Sequence, residues 1–285
     1  MNARSATAVA SEREFAFSDQ DFDRIRAMIR ARAGIALNGT KRNMVYSRLS
    51  RLLRTRTFDS FSDYLDQVER DPGLAQSFVN ALTTNLTSFF RESHHFPVLA
   101  EHLRALPRGA TIELWCSAAS TGEEPYSMAM TAIEVFDSDR PPVRILATDV
   151  DTNVLETARR GIYRSESVAQ LSPQQLRRHF LRGAGAQDGF VRVRPEVQAL
   201  VTYRPLNLLA QRWELSRPFA AIFCRNVMIY FDKPTQHAIL ERFIPLLTGG
   251  GLFFAGHSEN FTRASHQLRL RGKTVYEKVN ASGSP

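Results

Sequence analysis

The sequence predicts an α/β protein: a doubly wound, mainly parallel, Rossmann-like sheet domain carrying a small inserted antiparallel β-subdomain, preceded by a small all-α domain. Three observations predict it. From Thr111 onward, short apolar runs rich in β-branched residues alternate with helical patterns, as a buried parallel sheet wound with helices requires. Ahead of the polar stretch Thr83-Thr84-Asn85, apolar residues recur only at helical spacing. Between Ile162 and Leu206 the alternation of strand and helix gives way to turn residues and one period-two strand.

Taken in order, residues 1–17 are small, polar and aperiodic and read as a disordered tail. Ser18 then caps a helix, with Asp21 three residues on and Phe22, Ile25 and Ile29 along one face, until Gly34 ends it. Lys41 to Arg56 repeats the pattern through Val45, Leu49 and Leu52. A third helix runs through Phe61, Tyr64, Leu65 and Val68 and stops at Asp71-Pro72-Gly73. These helices define an all-α domain over residues 18–82, followed by a linker over 83–97 and the sheet domain over 98–285.

In the sheet domain the predicted strands are TIELWC (111–116), VRILATD (143–149), LVTYRP (200–205), FAAIFC (219–224), GLFFAG (251–256) and TVYEKV (274–279). Ser127 to Phe136, Asn153 to Arg160 and Thr235 to Leu247 read as helices between them. The insert, about 163–205, has a capped helix start at Ser172-Pro173, a glycine-rich turn at Arg182-Gly183-Ala184-Gly185 and an alternating strand from Phe190 to Arg194.

With 285 residues, 43% of them hydrophobic and 23% charged, the chain has material for a buried core and is not a disordered sequence. No run approaches the ~18 apolar residues of a membrane span, and the first residues lack the apolar core of a signal peptide, so a cytoplasmic protein with no membrane insertion is expected. Cys116 and Cys224 each end an apolar run, where reduced buried thiols are expected rather than a disulfide or a metal site. A net charge of +8 favours an acidic partner: nucleic acid, an anionic membrane surface or an acidic protein face. Charge alone does not choose among them.

Ligands of open α/β sheets bind beyond the carboxyl ends of the strands. After TIELWC comes Ser117-Ala118-Ala119-Ser120-Thr121-Gly122-Glu123-Glu124, small residues followed by paired carboxylates. One glycine does not make a dinucleotide fingerprint, and glutamates at a helix start repel a pyrophosphate. A zwitterion such as S-adenosylmethionine suits them better. Asp149, closing the second strand, is placed to accept the ribose hydroxyls; the alternative is that it caps the helix beginning near Asn153.

The runs TNLTSFFRESHHFP (84–97), SAASTGEEPYSMAM (117–130), ATDVD (147–151), RNVMIYFDK (225–233) and FAGHSENF (254–261) closely resemble the CheR-type chemoreceptor glutamate methyltransferases. The resemblance extends from Ser18 to Val279. It implies an S-adenosylmethionine-dependent protein-glutamate O-methyltransferase that releases S-adenosylhomocysteine, and it places cofactor contacts on Asn85, Thr87, Arg91, Glu124, Asp149, Asn207, Leu208, Arg225 and Asn226. The linker thereby contributes to the cofactor site. Arg91 and Tyr230 fall where the family's proposed active-site side chains stand. No metal is implied, and His94 and His95, adjacent in sequence, are expected to face different ways on a helix.

The resemblance also implies the acceptor, the helical cytoplasmic domain of a chemoreceptor, and a monomeric enzyme. Arg48, Arg51 and Arg54 recur at i+3 steps, away from Val45, Leu49 and Leu52, and form a basic stripe suited to that acidic substrate. RGAGAQDGFVRVR (182–194) resembles the β-subdomain of relatives that bind a peptide at the receptor's C-terminus, which an edge strand accepts by β-augmentation. The rival readings are a nucleic-acid methyltransferase and a non-catalytic sensor of the cofactor. Arg225-Asn226-Val227-Met228 lacks the proline and aromatic signature of amino-directed DNA enzymes and the Pro-Cys nucleophile of cytosine-ring enzymes, and there is no RNA-binding motif, so no nucleic-acid partner is expected.

Overall fold

Ser18 opens the first helix by reciprocal bonding: its Oγ accepts the Asp21 N–H at 3.0 Å while Asp21 Oδ2 accepts the Ser18 N–H at 2.9 Å. The structure is a computed structural model that describes residues 13–215, 218–261 and 265–279. Two compact units divide it: the chain up to Arg32 together with Ala36–Leu82, and Ala33–Ile35 together with everything from Thr83.

The first unit holds α1 (Asp19–Ala33), α2 (Arg42–Arg56), α3 (Phe61–Arg70) and α4 (Pro72–Leu82). Phe22, Ile25 and Ile29 are buried, and so are Phe61, Tyr64, Leu65 and Val68. On α2 the buried ridge is Val45, Leu49 and Leu53, at i+4 steps, with the expected Leu52 only half-buried beside it. Asp71-Pro72-Gly73, expected only to stop a helix, also starts one. Asp71 Oδ1 accepts the N–H groups of Gly73 at 2.7 Å and Leu74 at 3.0 Å, and Pro72 occupies the position where a missing N–H costs nothing. Of the expected tail, residues 1–12 lie outside the described residues. Residues 13–17 pack because two of them are aromatic: the Phe17 ring lies 4.6 Å from Phe61 and 5.6 Å from Tyr46.

The second unit runs α5 (His95–Ala105), β1 (Ile112–Cys116), α6 (Glu123–Phe136), β2 (Val143–Asp149), α7 (Thr152–Arg160), β3 (Ile162–Arg164), α8 (Pro173–His179), β4 (Phe180–Arg182), β5 (Phe190–Val193), α9 (Pro195–Gln198), β6 (Val201–Pro205), β7 (Phe219–Cys224), α10 (Lys233–Phe243), β8 (Leu247–Ala255), β9 (Leu268–Gly272) and β10 (Val275–Lys278). The main sheet has the order β6-β2-β1-β7-β8-β10-β9. β6, β2, β1, β7 and β8 pair in parallel, and β10 is antiparallel to both β8 and β9. From β1 the chain winds outward to β2 and β6, then crosses to β7 on the other side of β1. That reversal sets a crevice at the carboxyl ends of β1 and β7.

Both faces of the inner strands β1 and β7 and of the second half of β8 are covered, which is why they read as unbroken apolar runs, whereas the outer strands β6 and β9 are largely exposed. Leu114 and Cys116 of β1, Phe223 of β7 and Phe254 of β8 face one core; Trp115, Ile222 and Phe253 face the other. β3, β5 and β4 form a separate antiparallel sheet in that order. Ser172 and Gln175 close a capping box at α8. The insert ends before Val201 rather than at 205, because β6 pairs with β2 in the main sheet. The linker is also shorter than expected, since α5 takes residues from His95 on. No described helix is long and apolar enough to cross a membrane.

Candidate active site

The carboxyl ends of β1, β2 and β7 converge on one crevice, and backbone bonds knit them together. Beyond β1, Ser117 donates its N–H to Phe223 O at 2.8 Å, and Ala119 donates to Thr148 O at 2.8 Å. The loop then turns through Ser120 at φ +48° and Gly122 at φ +101° into α6. Gly122 has no substitute here: a Cβ would lie 2.8 Å from Ala158 Cβ and from the Tyr163 hydroxyl. The turn delivers Glu123 and Glu124 to the first turn of α6, four residues earlier than the expected helix start.

Asp149 closes β2 and is 8% exposed. Its Oδ2 accepts the Ser120 N–H at 2.8 Å and its Oδ1 the Asp151 N–H at 2.9 Å. Burial pushes its carboxyl up to about 6, against the pull of those amides. The helix cap is a different residue. Asp151 Oδ1 accepts the Asn153 and Val154 N–H groups at the start of α7, so Asp149 is not spent on capping. Asp151 Oδ2 in turn accepts Thr83 Oγ1 at 2.6 Å and Asn85 Nδ2 at 2.8 Å. The Asn85 side chain is therefore turned to the α7 cap, while its carbonyl accepts Ser120 Oγ at 2.9 Å.

Behind β7, the Arg225 side chain is fully enclosed. Its Nη1 lies 3.0 Å from Glu124 Oε2, its Nη2 lies 3.6 Å from Glu92 Oε2, and Nη2 also donates to the Arg91 carbonyl. Glu124 Oε1 accepts the Cys116 thiol at 3.2 Å; burial raises the Glu124 carboxyl's pKa, with Arg225 opposing. Glu92 Oε1 accepts Asn226 Nδ2 at 3.2 Å, the His257 N–H at 3.3 Å and the His257 ring at 3.2 Å. Burial pushes Glu92 up, and Arg225, Asn226 and His257 more than reverse that, leaving it below the usual carboxylate value. Phe90 and Glu92, both at φ +52°, and Asn226 at φ +57° hold this junction in left-handed backbone.

Arg91 itself is half-buried, with Nη1 donating to Leu86 O at 2.6 Å. It lines an open groove of about 680 Å³ with Ser88, Phe90, Ser93, Glu166 and Gln170. Thr87 is half-buried in the same connector. Tyr230 is half-buried in the 3-10 turn Met228–Tyr230 that follows Asn226. Asn207, after β6, turns its Oδ1 to the Leu209 N–H at 2.9 Å, and Leu208 is a core residue packed with the Trp115 cluster. Asn85 and Asp149 thus meet through Ser120 and Asp151, while Glu124, Asn226 and the Arg91 carbonyl meet through Arg225 and Glu92. Arg48, Arg51 and Arg54 lie in the other unit. There Arg48 donates to Ala81 O at 3.3 Å, Arg51 is exposed and Arg54 pairs with Glu14.

Three acids bonded to the site residues were passed over in the sequence: Glu92, Asp151 and Glu259, whose carboxylate accepts the Asn226 N–H at 3.1 Å. The first lies in FFRESHH, the second in ATDVD and the third in GHSENF, so the runs contained them, but nothing in their spacing set them apart from surface acids. The histidines also differ from expectation. His94 stands before the helix rather than on it, so its ring comes within 4.2 Å of the His95 ring, and with Glu92 their ligand atoms lie within 4.8 Å. Arg225, beside the same carboxylate, supplies the positive charge there.

The donor set fits S-adenosylmethionine. A buried carboxylate ends β2 where a ribose diol is read in such folds. Among the described residues Glu92 and Glu124 both pair with the Arg225 guanidinium, two carboxylates on one buried cation, an arrangement that suits a sulfonium and an ammonium. Arg225 Nε is buried with no partner among the described residues, leaving a donor for a ligand's acceptor. Fold and site together define an S-adenosylmethionine-dependent methyltransferase.

The family model of the CheR methyltransferase SAM-binding domain matches residues 85–276, and that of the CheR all-alpha domain matches residues 20–83. The chain belongs to the CheR methyltransferase family. It is 55% identical over 274 residues to the chemotaxis protein methyltransferase of Klebsiella aerogenes, a match covering 95% of this chain and 93% of that one. It is 53% identical over 263 residues to the chemotaxis protein methyltransferase of Escherichia coli K12, covering 92% and 91%. With chemotaxis protein methyltransferase 2 of Pseudomonas aeruginosa the identity is 50% over 277 residues, covering 97% and 99%.

Proposed function

We propose that this chain methylates glutamate side chains on the cytoplasmic helical domain of chemoreceptors, forming methyl esters. S-adenosylmethionine, when bound, supplies a methyl group on a sulfonium and departs as S-adenosylhomocysteine. The acceptor needs no strong base, because a glutamate of pKa ~4.3 is already ionised at neutral pH. The protein's work is alignment and exclusion of water. Asp149 accepts from the ribose, and Glu124, Arg225, Asn226, Asn207 and the connector from Asn85 through Thr87 frame the rest, with Leu208 offering backbone only. Arg91 orients a carboxylate with its planar fork, and Tyr230 donates to the acceptor oxygen.

The observation that carries this reading is the buried Asp149 at the end of β2, relieved of capping by Asp151 and set beside the turn that presents Glu124. For the acceptor, Arg48, Arg51 and Arg54 offer a basic face to an acidic helix. For tethering, β4 pairs on one side only, with Leu181 of that strand 40% exposed, so a receptor's C-terminal peptide can add a strand there. The test is incubation of the purified chain with receptor-bearing membranes and methyl-labelled cofactor, followed by alkaline release of methanol. Base-labile label on receptor glutamates is expected. Label that resists base, or that appears on added RNA instead, overturns the reading.

A further inference from the structure

Glu259 follows β8 by four residues and is 5% exposed. Its Oε2 accepts the N–H groups of Gly256 at 2.6 Å and Asn226 at 3.1 Å, and its Oε1 accepts that of Ile229 at 3.3 Å. One carboxylate thus gathers amides from both ends of the segment that carries Asn226 and Tyr230, and ties them to the end of β8. No Lys, Arg or His pairs with it among the described residues, so backbone amides are what hold its charge. Burial raises its pKa and those amides draw it back.

The segment requires such a fastener. Asn226 stands in left-handed backbone at φ +57°, and the 3-10 turn Met228–Tyr230 bonds locally only from Tyr230 N–H to Val227 O at 3.1 Å and from Phe231 N–H to Met228 O at 3.0 Å, so the Ile229 N–H takes its acceptor from outside the turn. Gly256 lets the two backbones close on each other: a Cβ there would lie 2.8 Å from Asn226 N. On the other side, Asn226 Nδ2 reaches Glu92, and Arg225 reaches Glu124. The turn is therefore gripped by side chains on one flank and by Glu259 on the other.

We infer that Glu259 is a positioning residue for methyl transfer, holding the Arg225–Tyr230 turn in the conformation that presents Tyr230 to the acceptor. This rests on the assignment of Tyr230 and Arg225 to the active site. Glu259→Gln keeps the shape but turns an NH2 toward backbone N–H groups, setting donor against donor.

The test is receptor-methylation kinetics on the full chain for Glu259→Gln, Tyr230→Phe and the double variant, with kcat counted per cofactor-binding site so that lost folding is not read as lost turnover. Glu259→Gln is expected to lower kcat about tenfold with little change in receptor KM, and to cost less than about twofold more in the Tyr230→Phe background. Glu259→Asp, which keeps the charge but withdraws it by one methylene, should lose kcat in the same direction and serves if the glutamine variant does not fold. A kcat within about twofold of the parent overturns the inference, as does full additivity with Tyr230→Phe. If Tyr230→Phe alone retains full kcat, the assignment of Tyr230 has failed. Glu259 is then judged on cofactor Kd, which Glu259→Gln must raise through Arg225 and Asn226, and an unchanged Kd removes it as well.

Discussion

Arg54 on α2 and Arg225 behind β7 both pair with glutamate, and they differ in what surrounds the pair. The Arg54 side chain is 60% exposed and its partner Glu14 48%; water and salt screen the attraction, so the pair adds little rigidity. The Arg225 side chain is fully enclosed, and Glu92 and Glu124 on either side of it are 10% exposed. There the charges have lost their hydration and are tolerable only together. An exposed arginine remains free to change partners, which suits docking. An enclosed one fixes the backbones around it, which suits a site that must hold a geometry.

The largest effect should come from breaking the enclosed set. Arg225→Leu leaves two carboxylates facing each other without a cation, a change that costs ~3–5 kcal/mol for buried pairs. Urea unfolding of this variant should show that loss, with methylation abolished. Adding Glu124→Gln should return part of the stability and none of the activity. A variant as stable as the parent would mean that water reaches the cluster, and the contrast with Arg54 would dissolve.

Legibility in the sequence followed the same divide. The strands were readable because a parallel sheet covered on both faces must be apolar throughout, and the capping of α1 and α8 was readable because it depends on residues three apart. Elements that depend on distant partners were not. α4 was lost because Asp71-Pro72-Gly73 serves equally to end one helix and cap the next. α5 begins inside the stretch read as linker, 83–97, and Pro97 fits there because in a first turn its missing N–H removes no helical bond. β9 (Leu268–Gly272) takes its place only by pairing with β10. At the site, Asp149 stood out as an acid closing an apolar run. Glu92 and Glu259 acquire meaning only once the fold brings Asn226 to both of them, from 134 and 33 residues away in sequence.

A middle-sized effect tests Asp149, which is enclosed and has no cationic partner among the described residues. Its carboxyl sits near pH 6 in the folded chain, and only the ionised form offers all its lone pairs to a ribose diol. Cofactor affinity should therefore fall as pH drops through about 6. Asp149→Asn should weaken binding ~10- to 100-fold at neutral pH, the worth of hydrogen bonds to a charged group, and flatten that pH dependence. Titration calorimetry across pH 5 to 8 reads both. Stability should move the other way for this group: with a folded pKa above its ordinary 3.8, it is protonated first in the folded state, so its contribution grows as pH falls from about 6 to 4. His95 opposes it. Burial and Arg225 hold its ring down to about 4 from 6.5, so the unfolded chain takes up that proton first and stability is lost over the same interval.

The smallest effect on the fold belongs to the exposed arginines, and it is the sharpest test of the division of labour. Arg51→Glu with Arg54→Glu replaces two cations that water already screens, one exposed and one held by a surface pair, so the thermal midpoint of unfolding should stay where it is. If this face guides an acidic receptor helix, the same variant should slow receptor methylation through a higher receptor KM at unchanged kcat, and the rate should lose its dependence on salt. Scanning fluorimetry and initial rates at two ionic strengths measure the pair of effects. An unchanged KM and salt dependence would reduce the stripe on α2 to a solvated helix face and leave recognition of the receptor to the groove at Arg91 and the free edge of β4.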